Sequence, residues 1–290
     1  MKAAIYGKTF NVNFMPVMKS FINKLFDVGA EVWIVDSFMT FIRNTIPETY
    51  ENIRIYKVME DLPEDLNYLF SIGGDGTFLE AAAMAKGRNI PIVGINSGRL
   101  GFLANISKED VKQSIDYILH REFTIEERSL VEIRTSDGMY NDFALNEIAI
   151  QKKNSKMITI HAYLNGELLN SYWADGLIIS TPTGSTAYSL SVGGPIVIPG
   201  SKNFIISPIS PHTLAVRPVV IPDYHEIRLK VDGRSSEYLV SADYRSYNLN
   251  TSIDLFIKRA DETVKMLKLP GHSFYKTIRS KLMWGMDKRN

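Results

Sequence analysis

Three glycines surround one aspartate in Gly73-Gly74-Asp75-Gly76-Thr77. An apolar run precedes this turn, and a helix-like segment follows it. Glycines at a turn from strand to helix let the backbone approach a ligand closely and point N–H groups at phosphate oxygens. Asp75, the one ionisable group of the turn, would then stand where a phosphate or a hydroxyl nucleophile arrives. The pattern predicts phosphoryl transfer, and a turn that merely packs tightly is the alternative.

Two common phosphate-binding motifs do not account for this chain. In a G-x-G-x-x-G dinucleotide fingerprint, the third glycine would fall at Leu79. Gly7-Lys8-Thr9 is similar to the end of a P-loop, but the first glycine that a P-loop requires would be Lys2. We therefore interpret this second segment as a plain loop.

A pair of polar residues interrupts the apolar β run of residues 143–150. Asn146 and Glu147 are adjacent there, so strict alternation is broken, and one of the two must point inward or bend the strand. Burying a carboxylate without partners is costly. The pair therefore predicts either an exposed edge or bulge, or two groups that hydrogen-bond a sugar diol or a purine edge.

Hydroxyl groups and glycines are concentrated in residues 180–195, shortly after Asp175-Gly176. The segment offers many small donors and acceptors and one aromatic face, that of Tyr188, which would suit a neutral polar ligand such as a nucleoside. The alternative is a surface loop, although apolar residues flank the segment on both sides. A second, proline-stiffened loop follows at residues 207–218, and its lone His212 is more typical of a structural residue than of a ligand.

The composition excludes several classes of chemistry. The chain has 290 residues, enough for one large domain or two ordinary ones, and its net charge of +1 gives no electrostatic case for nucleic acid or an anionic membrane. There are no cysteines, and the five histidines show no metal-ligand spacing, so no metal ligands are assigned. No apolar run reaches the roughly 18 residues of a membrane span, and the N-terminus does not resemble a signal peptide. We expect a cytoplasmic protein.

Predicted strands and helices alternate in the first part of the chain. The strands cover residues 3–6, 31–35, 53–58, 67–72 and 90–95, and the helices cover residues 15–27, 77–85 and 108–120. Thr77 and Glu80 match a T-x-x-E capping box, which places the start of the second helix at Thr77, and Ser107 can cap the third. Apolar strands that alternate with helices are typical of a parallel sheet covered on both faces.

From about residue 123 to residue 269, short β-rich runs are separated by turn residues. The runs cover residues 131–135, 143–150, 158–164, 176–180, 227–231, 237–241 and 253–258. They predict an antiparallel β domain, and residues 273–282 again predict a helix.

Taken in this order, the segments resemble the family of ATP- or polyphosphate-dependent NAD kinases. The resemblance extends from about residue 67 to a closing segment, residues 275–285. It rests on residues 73–77, Leu100-Gly101-Phe102, Asn146-Glu147, Asp175-Gly176, residues 181–188, Ser191-Val192-Gly193-Gly194-Pro195 and residues 207–218. Diacylglycerol-type lipid kinases share the glycine–aspartate turn, whereas the pair at 146–147 and residues 181–188 are more discriminating.

The resemblance implies a domain organisation. It implies an N-terminal Rossmann-like α/β domain at residues 1–122, an all-β C-terminal domain at residues 123–270, and a C-terminal helical segment at residues 271–290 that returns to the first domain. NAD would lie in the cleft between the domains, near a subunit interface of a homodimer or homotetramer.

The resemblance also implies roles for individual residues. Asp75 would act as general base on the 2′-hydroxyl of the adenosine ribose of NAD, with ATP as phosphoryl donor and Mg²⁺ as divalent metal. The donor phosphates would meet Gly73, Gly74, Gly76 and Thr77. The residues that would bind NAD are Asp75, Gly76, Phe102, Asn146, Glu147, Trp173, Asp175, Thr186, Ala187, Tyr188 and Ser191.

Within that set, Asn146 and Glu147 would hold the adenosine side, Asp175 would contact the nicotinamide half, and the last four residues would line the adenine pocket. One departure is Asp243-Tyr244-Arg245, where many members have a run such as Asp-Gly-Gln near the NAD site. The affinity for NAD and the preference for NAD over NADH are therefore open. Alternative readings are a diacylglycerol-type lipid kinase and a catalytically inactive NAD-binding regulatory protein.

Overall fold

The structure is a computed structural model that describes residues 1–45 and 52–284. The chain divides into two compact units: unit 1 comprises residues 1–127 and 264–290, and unit 2 comprises residues 128–263. The C-terminal stretch thus belongs with the N-terminal part of the chain. The expected domain boundaries, at 122/123 and 270/271, stay a prediction, and residues 285–290 lie outside the described residues.

Unit 1 is built on a parallel sheet with the strand order β5-β4-β1-β2-β3. The strands are β1 (Lys2–Gly7), β2 (Glu31–Val35), β3 (Ile53–Tyr56), β4 (Tyr68–Gly73) and β5 (Ile92–Asn96). The helices are α1 (Met15–Asp27), α2 (Asp36–Thr45), α3 (Asp75–Met84), α4 (Val111–Leu119) and the C-terminal α6 (Phe274–Leu282). The predicted α/β fold with a returning C-terminal helix is confirmed.

Two helices of unit 1 differ from the sequence-based expectation. Helix α2 has no counterpart in that expectation, although its buried Phe38, Met39 and Ile42 lie on one helical face. Helix α4 begins at Val111, so the prediction that Ser107 caps it is wrong. The Ser107 hydroxyl instead donates to Asp110 Oδ2 at 2.8 Å. Among the described residues, no helix is both long enough and apolar enough to cross a lipid bilayer.

Unit 2 contains two antiparallel sheets, which confirms the predicted all-β character of this part. One sheet has the order β13-β12-β11-β8-β15-β16. Its strands are β8 (Glu147–Lys152), β11 (Gly176–Ser180), β12 (Asn203–Ile209), β13 (Val219–Pro222), β15 (Glu237–Ala242) and β16 (Arg245–Asn250). One short helix, α5 (Tyr188–Ser191), follows β11.

The other sheet of unit 2 places β9 between β10 and β14, and β14 pairs with the first residues of β17. A hairpin of β6 and β7 accompanies it. The strands are β6 (Thr124–Thr135), β7 (Asn141–Ala144), β9 (Ile158–Leu164), β10 (Glu167–Ala174), β14 (Ile227–Gly233) and β17 (Leu255–Lys268). The unit boundaries fall within β6 and β17, so the last residues of β17 belong to unit 1, where Met266 pairs in parallel with Ile92.

The two sheets of unit 2 share one apolar core. Ile150 and Phe204 from the first sheet and Ile160 and Leu229 from the second are fully buried members of the same cluster. Complete burial of such a side chain is worth about 1.5–3 kcal/mol. This core fixes the loops that carry the polar residues discussed below.

Candidate active site

The glycine turn of unit 1 lies where the strand order reverses. Strand β1 pairs in parallel with both β2 and β4, so the chain builds the sheet first to one side of β1 and then to the other. In open parallel sheets, ligands bind at such a point, at the carboxyl ends of the strands. Gly73 ends β4, and α3 begins at Asp75 with Gly74 as N-cap. The predicted strand–turn–helix setting of the motif is confirmed.

Helix α3 begins two residues before the expected position, so the capping box predicted for Thr77 and Glu80 is wrong. Thr77 lies in the first turn against Gly73, where a Cβ on the glycine would come within 2.3 Å of Thr77 Oγ1. Glu80 instead accepts hydrogen bonds from the Tyr6 hydroxyl and the Lys8 ammonium group, both at 2.6 Å. These bonds connect the end of β1 to α3.

The first turn of α3 can receive an anion. Its leading backbone N–H groups have no partner within the helix, and the helix dipole adds partial positive charge at this end. Gly74 and Gly76 are exposed, and a Cβ on either would meet nothing within 4 Å. Gly73, in contrast, is buried against Thr77. The geometry therefore offers Gly74 and Gly76 to a ligand and gives Gly73 a packing role.

Three backbone amides hold the carboxylate of Asp75. The N–H of Phe102 donates to Oδ2, and the N–H groups of Leu103 and Ala104 donate to Oδ1, each at 2.9 Å. A carboxylate oxygen can accept about two hydrogen bonds. Oδ1 is therefore fully occupied, whereas Oδ2 keeps one acceptor position. Asp75 is only half-buried, so this position is available to a ligand.

Two further residues shape the loop that supplies these amides. A Cβ on Gly101 would lie 1.8 Å from Asp75 Oδ1, so only glycine permits this approach. Asn96, which is 3% exposed at the end of β5, donates to the carbonyl of Arg99 at 2.6 Å and accepts from the N–H of Gly98 at 2.7 Å. Sequence reasoning missed Asn96, whose only signal is a polar side chain that ends an apolar run.

In unit 2, Asn146 and Glu147 lie at a break in the expected strand of residues 143–150. The Asp243 carboxylate accepts the backbone N–H groups of Leu145, Asn146 and Glu147 at 2.8, 2.9 and 3.2 Å. The amides of residues 145 and 146 therefore bind a side chain instead of a neighbouring strand, and the run divides into β7 and β8. The bend predicted from the polar pair is confirmed, and Asn146 is 8% exposed.

The structure brings this pair together with the start of the hydroxyl-rich segment. The carbonyl of Asn146 accepts from the N–H of Thr181 at 2.9 Å, and the Thr181 hydroxyl donates to the carbonyl of Leu145 at 2.6 Å. A Cβ on Gly184 would come within 2.1 Å of the Asn146 carbonyl oxygen. The two motifs are therefore one packed arrangement within unit 2.

Two carboxyl groups share this part of unit 2. Burial and, to a lesser extent, the charge of Asp243 raise the pKa of Glu147 to about 8, against the opposing effect of the backbone N–H of Tyr188. Burial likewise raises the pKa of Asp243, against its three N–H donors and Arg245. Glu147 Oε2 is buried and has no hydrogen-bond partner within the described part of the chain. Near neutral pH the carboxyl of Glu147 is therefore largely protonated, and it can donate as well as accept a hydrogen bond.

Several hydroxyls of residues 180–195 serve the fold, so the expectation that the segment as a whole faces a ligand is too broad. The Ser185 hydroxyl donates to the carbonyl of Pro182 at 2.7 Å, and the hydroxyls of Ser189 and Ser207 lie 3.1 Å apart. All three serines are fully buried. The half-buried or exposed residues of the segment include the four expected to line a base pocket, Thr186, Ala187, Tyr188 and Ser191.

Both the hydroxyl and the ring of Tyr188 are held by contacts within unit 2. Its hydroxyl accepts a hydrogen bond from Gln151 Nε2 at 2.9 Å. The ring packs against a small apolar cluster of Ala149, Ile178 and Ile209. A ring held in this way can stack on a flat ligand without losing much rotational freedom.

Asp175 and Trp173 have different surroundings. Asp175, between β10 and β11, forms an ion pair with Lys152 at 2.5 Å. Sequence reasoning did not single out Lys152. Trp173 is 52% exposed, and its ring lies 5.1 Å from that of His212, whose backbone N–H donates to the Trp173 carbonyl at 2.9 Å. The structural interpretation of His212 fits these contacts.

The segment Asp243-Tyr244-Arg245, singled out as a departure, is engaged within unit 2. Asp243 braces the backbone at residues 145–147. Arg245 Nε donates to Asp142 Oδ2 at 2.9 Å, and its guanidinium lies over the rings of Phe143 and Tyr244. Both charged side chains thus stabilise the loop that carries the polar pair.

The described part of the chain forms no protein-held metal centre. Within residues 1–45 and 52–284, no three His, Cys, Asp or Glu side chains are grouped so that they could hold a metal ion. Mg²⁺ commonly keeps several waters and is bound by one or two carboxylates together with substrate phosphates. A metal that arrives with a nucleotide needs no dedicated cage.

A glycine–aspartate turn at the carboxyl edge of a parallel sheet, in a chain that continues into an all-β unit, is the arrangement of a phosphate-binding α/β enzyme. Residues 35–123 match the family model for the ATP-NAD kinase N-terminal domain, and residues 145–269 match that for the ATP-NAD kinase C-terminal domain. The chain belongs to the NAD kinase family, and the resemblance inferred from its motifs is confirmed.

Relatives support this assignment over the full length. NAD kinases of Flavobacterium psychrophilum and Bacteroides fragilis are each 43% identical to the chain, with 100% of both sequences covered. An Archaeoglobus fulgidus NAD kinase solved in complex with ATP has a TM-score of 0.75 and 25% identity, covering 97% of this chain and 99% of that one. Yeast NADH kinase solved with NADH has a TM-score of 0.86, covers 99% and 89% of the two chains, and at 23% identity shows the shared fold.

Proposed function

We propose that the protein is an NAD kinase that transfers the terminal phosphoryl group of ATP to the 2′-hydroxyl of the adenosine ribose of NAD, which gives NADP. Full-length relatives that are NAD kinases support the acceptor. The ATP complex of the Archaeoglobus enzyme supports the donor. The structural observation that carries the proposal is the carboxylate of Asp75, held by three amides with one acceptor position left on Oδ2.

The chemistry explains why such a carboxylate is needed. A ribose hydroxyl is a weak acid and a poor nucleophile at neutral pH. Phosphoryl transfer to it requires in-line positioning, neutralisation of charge and an acceptor for the hydroxyl proton. Asp75 Oδ2 is the proposed acceptor. General-base assistance is typically worth about 10²–10⁴-fold in rate.

The donor phosphates meet the first turn of α3 in this proposal. The exposed Gly74 and Gly76 allow close approach, and the free N–H groups of the turn supply donors. Mg²⁺ that arrives with ATP would neutralise most of the negative charge of the phosphates. Because the described residues offer no metal cage, the contribution of the protein is to hold the nucleotide and the proton acceptor.

Residues of unit 2 recognise NAD in this proposal. The buried, unpartnered Oε2 of Glu147 is the kind of polar atom that a ligand hydroxyl satisfies. The fixed ring of Tyr188 suits stacking on the adenine, with Thr186, Ala187 and Ser191 beside it in sequence. Asp175, paired with Lys152, is assigned to the nicotinamide half by the resemblance.

The two alternative readings have no observation in their favour. A diacylglycerol-type lipid kinase shares the glycine–aspartate turn, but both family models that match here are those of ATP-NAD kinases. An inactive NAD-binding protein would not need Asp75 or the close approach of Gly101 to it. The assay described next distinguishes both alternatives from the proposed function.

The test is a direct assay of NADP formation by the purified chain. NAD and NADH are compared as acceptors, ATP and polyphosphate as donors, and a diacylglycerol dispersion serves as the control acceptor. We expect Mg²⁺-dependent formation of NADP from NAD and ATP. Phosphorylation of the lipid alone, or NAD binding without turnover, would overturn the proposal.

Assembly as a homodimer or homotetramer and a cytoplasmic location stay predictions. Light scattering after size-exclusion chromatography tests the oligomeric state.

A further inference from the structure

We propose that the C-terminal helix α6 positions Asp75, through contacts of Phe274 and Lys281 with Phe102. The proposal rests on the proposed function for its kinetic consequence. Its structural part concerns unit 1 alone and can be measured without turnover.

The ring of Phe102 is contacted by two residues of α6. The centroid of Phe274 lies 6.3 Å from that of Phe102, with the rings tilted by 51°. The ammonium group of Lys281 lies 5.9 Å from the centre of the same ring. Aromatic rings at this separation and tilt attract each other beyond the effect of the area that they bury. The side chain of Phe102 is thereby held by the last helix of the chain.

The C-terminal segment also faces the loop just beyond the amides that bind Asp75, across a shared cavity. His272, which precedes α6, lines the same cavity as Asn105. Phe102 and Asn105 flank Leu103 and Ala104, whose N–H groups occupy Asp75 Oδ1. The C-terminal segment therefore contacts the loop at Phe102, on one side of these donors, and faces it across the cavity on the other.

A cavity separates part of α6 from the loop. This cavity of about 380 Å³ lies between the two segments, lined by Leu100, Asn105, Ser107 and Asp110 on one side and by residues of 270–280 on the other. The loop is therefore not supported by continuous packing here. Loss of one contact should loosen it and with it the carboxylate of Asp75.

Helix α6 is stabilised by contacts that do not involve Phe102, so the effect of losing the contact with Phe102 can be measured separately. Ser273 caps the helix by accepting the N–H of Lys276 at 3.1 Å, and Ile278 is 5% exposed. Substitution of Phe274 should thus remove the contact with Phe102 and leave the helix in place. Arg279, an exposed residue of the same helix, provides the matched control.

The kinetic test compares Phe274→Ala with Arg279→Ala. We expect Phe274→Ala to lower kcat about tenfold or more and to change the KM for ATP by less than twofold, because misplacement of a reacting group costs rate at saturation. Phe274→Leu should restore part of kcat, and Arg279→Ala should match wild type. In a Phe102→Ala background, Phe274→Ala should have no further effect on kcat, since the two residues act through one contact.

The structural test is amide hydrogen exchange of the peptide that covers residues 98–105. Phe274→Ala should speed exchange there at an unchanged Tm, and Lys281→Met provides a second variant if Phe274→Ala does not fold. Unchanged exchange in both variants, or additive kcat losses in the double variant, would overturn the positioning role. If wild type made no NADP, the proposed function would fall, and the exchange result alone would decide whether α6 holds the loop.

Discussion

The backbone of Gly101 lies against the carboxylate of Asp75, so that a Cβ on residue 101 would stand 1.8 Å from Oδ1. Residues 26 positions apart in sequence therefore form one assembly, in which the turn supplies a carboxylate and the loop supplies its amide donors. This contact gives a physical reason for the glycine in Leu100-Gly101-Phe102. It also links the two motifs of unit 1 that the sequence presents separately.

Gly101→Ala should lower turnover while the protein stays folded. The added methyl group must displace either the Asp75 carboxylate or the loop, and a displacement near 1 Å can cost about 100-fold in rate. We expect kcat for NADP formation to fall at least tenfold. The matched control is Gly98→Ala in the same loop, where a Cβ would meet nothing within 4 Å. Equal kcat values for the two variants would contradict the argument.

Glu147→Gln should change how stability depends on pH. The folded-state pKa of Glu147, about 8, lies above the ordinary value of 4.5, so between these values the folded chain keeps a proton that the unfolded chain has released. The stabilising contribution of Glu147 is therefore fully present below about pH 4.5. It is lost as the pH rises from there through 8, and the free energy of unfolding falls by up to about 1.4 kcal/mol per pH unit in this range. The Glu147→Gln variant carries no ionisable group at this position, so its stability does not show this decrease with rising pH.

The measurement is the free energy of unfolding by urea at pH 5, 6.5 and 8. As the pH rises, we expect the free energy of unfolding of Glu147→Gln to increase relative to that of wild type. Curves that stay parallel from pH 5 to 8 would show that Glu147 is charged throughout this range. Asp243 is present in both proteins, so its own titration largely cancels.

Much of the fold follows from sequence patterns, and the exceptions have identifiable causes. The uniformly apolar strands of unit 1, and the short β-rich runs of unit 2 that turn residues separate, predict the right sheet types. Helix α2 follows β2 directly, with no glycine or proline between them to signal a boundary. The run at residues 143–150 divides because the carboxylate of Asp243, about a hundred residues away, binds its amides. No local pattern contains that contact.

The candidate site shows the same limit. Residue types and order identify the turn at Asp75 and the pair Asn146-Glu147, because clustered glycines and polar residues within an apolar run can be recognised in the sequence alone. Asn96 and Lys152 act through partners that only folding brings near, the loop backbone and Asp175 respectively. The hydroxyls of residues 180–195 look alike in sequence, and burial alone separates the structural ones from the exposed ones.

Tyr188→Ala should weaken NAD binding more than it slows the chemical step. Stacking of a base on an aromatic ring is worth about 1–3 kcal/mol, so we expect the KM for NAD to rise about tenfold and kcat to fall much less. Tyr188→Phe keeps the ring and loses only the hydrogen bond from Gln151, so its KM should stay close to wild type. An unchanged KM in the alanine variant would contradict the placement of the adenine.

Removal of the divalent metal should stop turnover and leave NAD bound. Because the described residues form no metal cage, Mg²⁺ is expected to act with ATP rather than to hold the fold. EDTA should abolish NADP formation, excess Mg²⁺ should restore it, and Tm should not change in either case. Calorimetry should give the same Kd for NAD with and without EDTA. A large loss of Tm in EDTA would indicate a structural metal instead.

Asp75 and Asp243 are structurally matched, since each carboxylate accepts three backbone amides, yet only Asp75 is proposed to receive a proton. The most direct measurement is therefore kcat for NADP formation, at saturating NAD, ATP and Mg²⁺, in Asp75→Asn and Asp243→Asn. We expect Asp75→Asn to lose at least 100-fold in kcat with NAD still bound, and Asp243→Asn to affect chiefly the KM for NAD and stability. Near-normal kcat in Asp75→Asn, or equal losses in the two variants, would contradict the account.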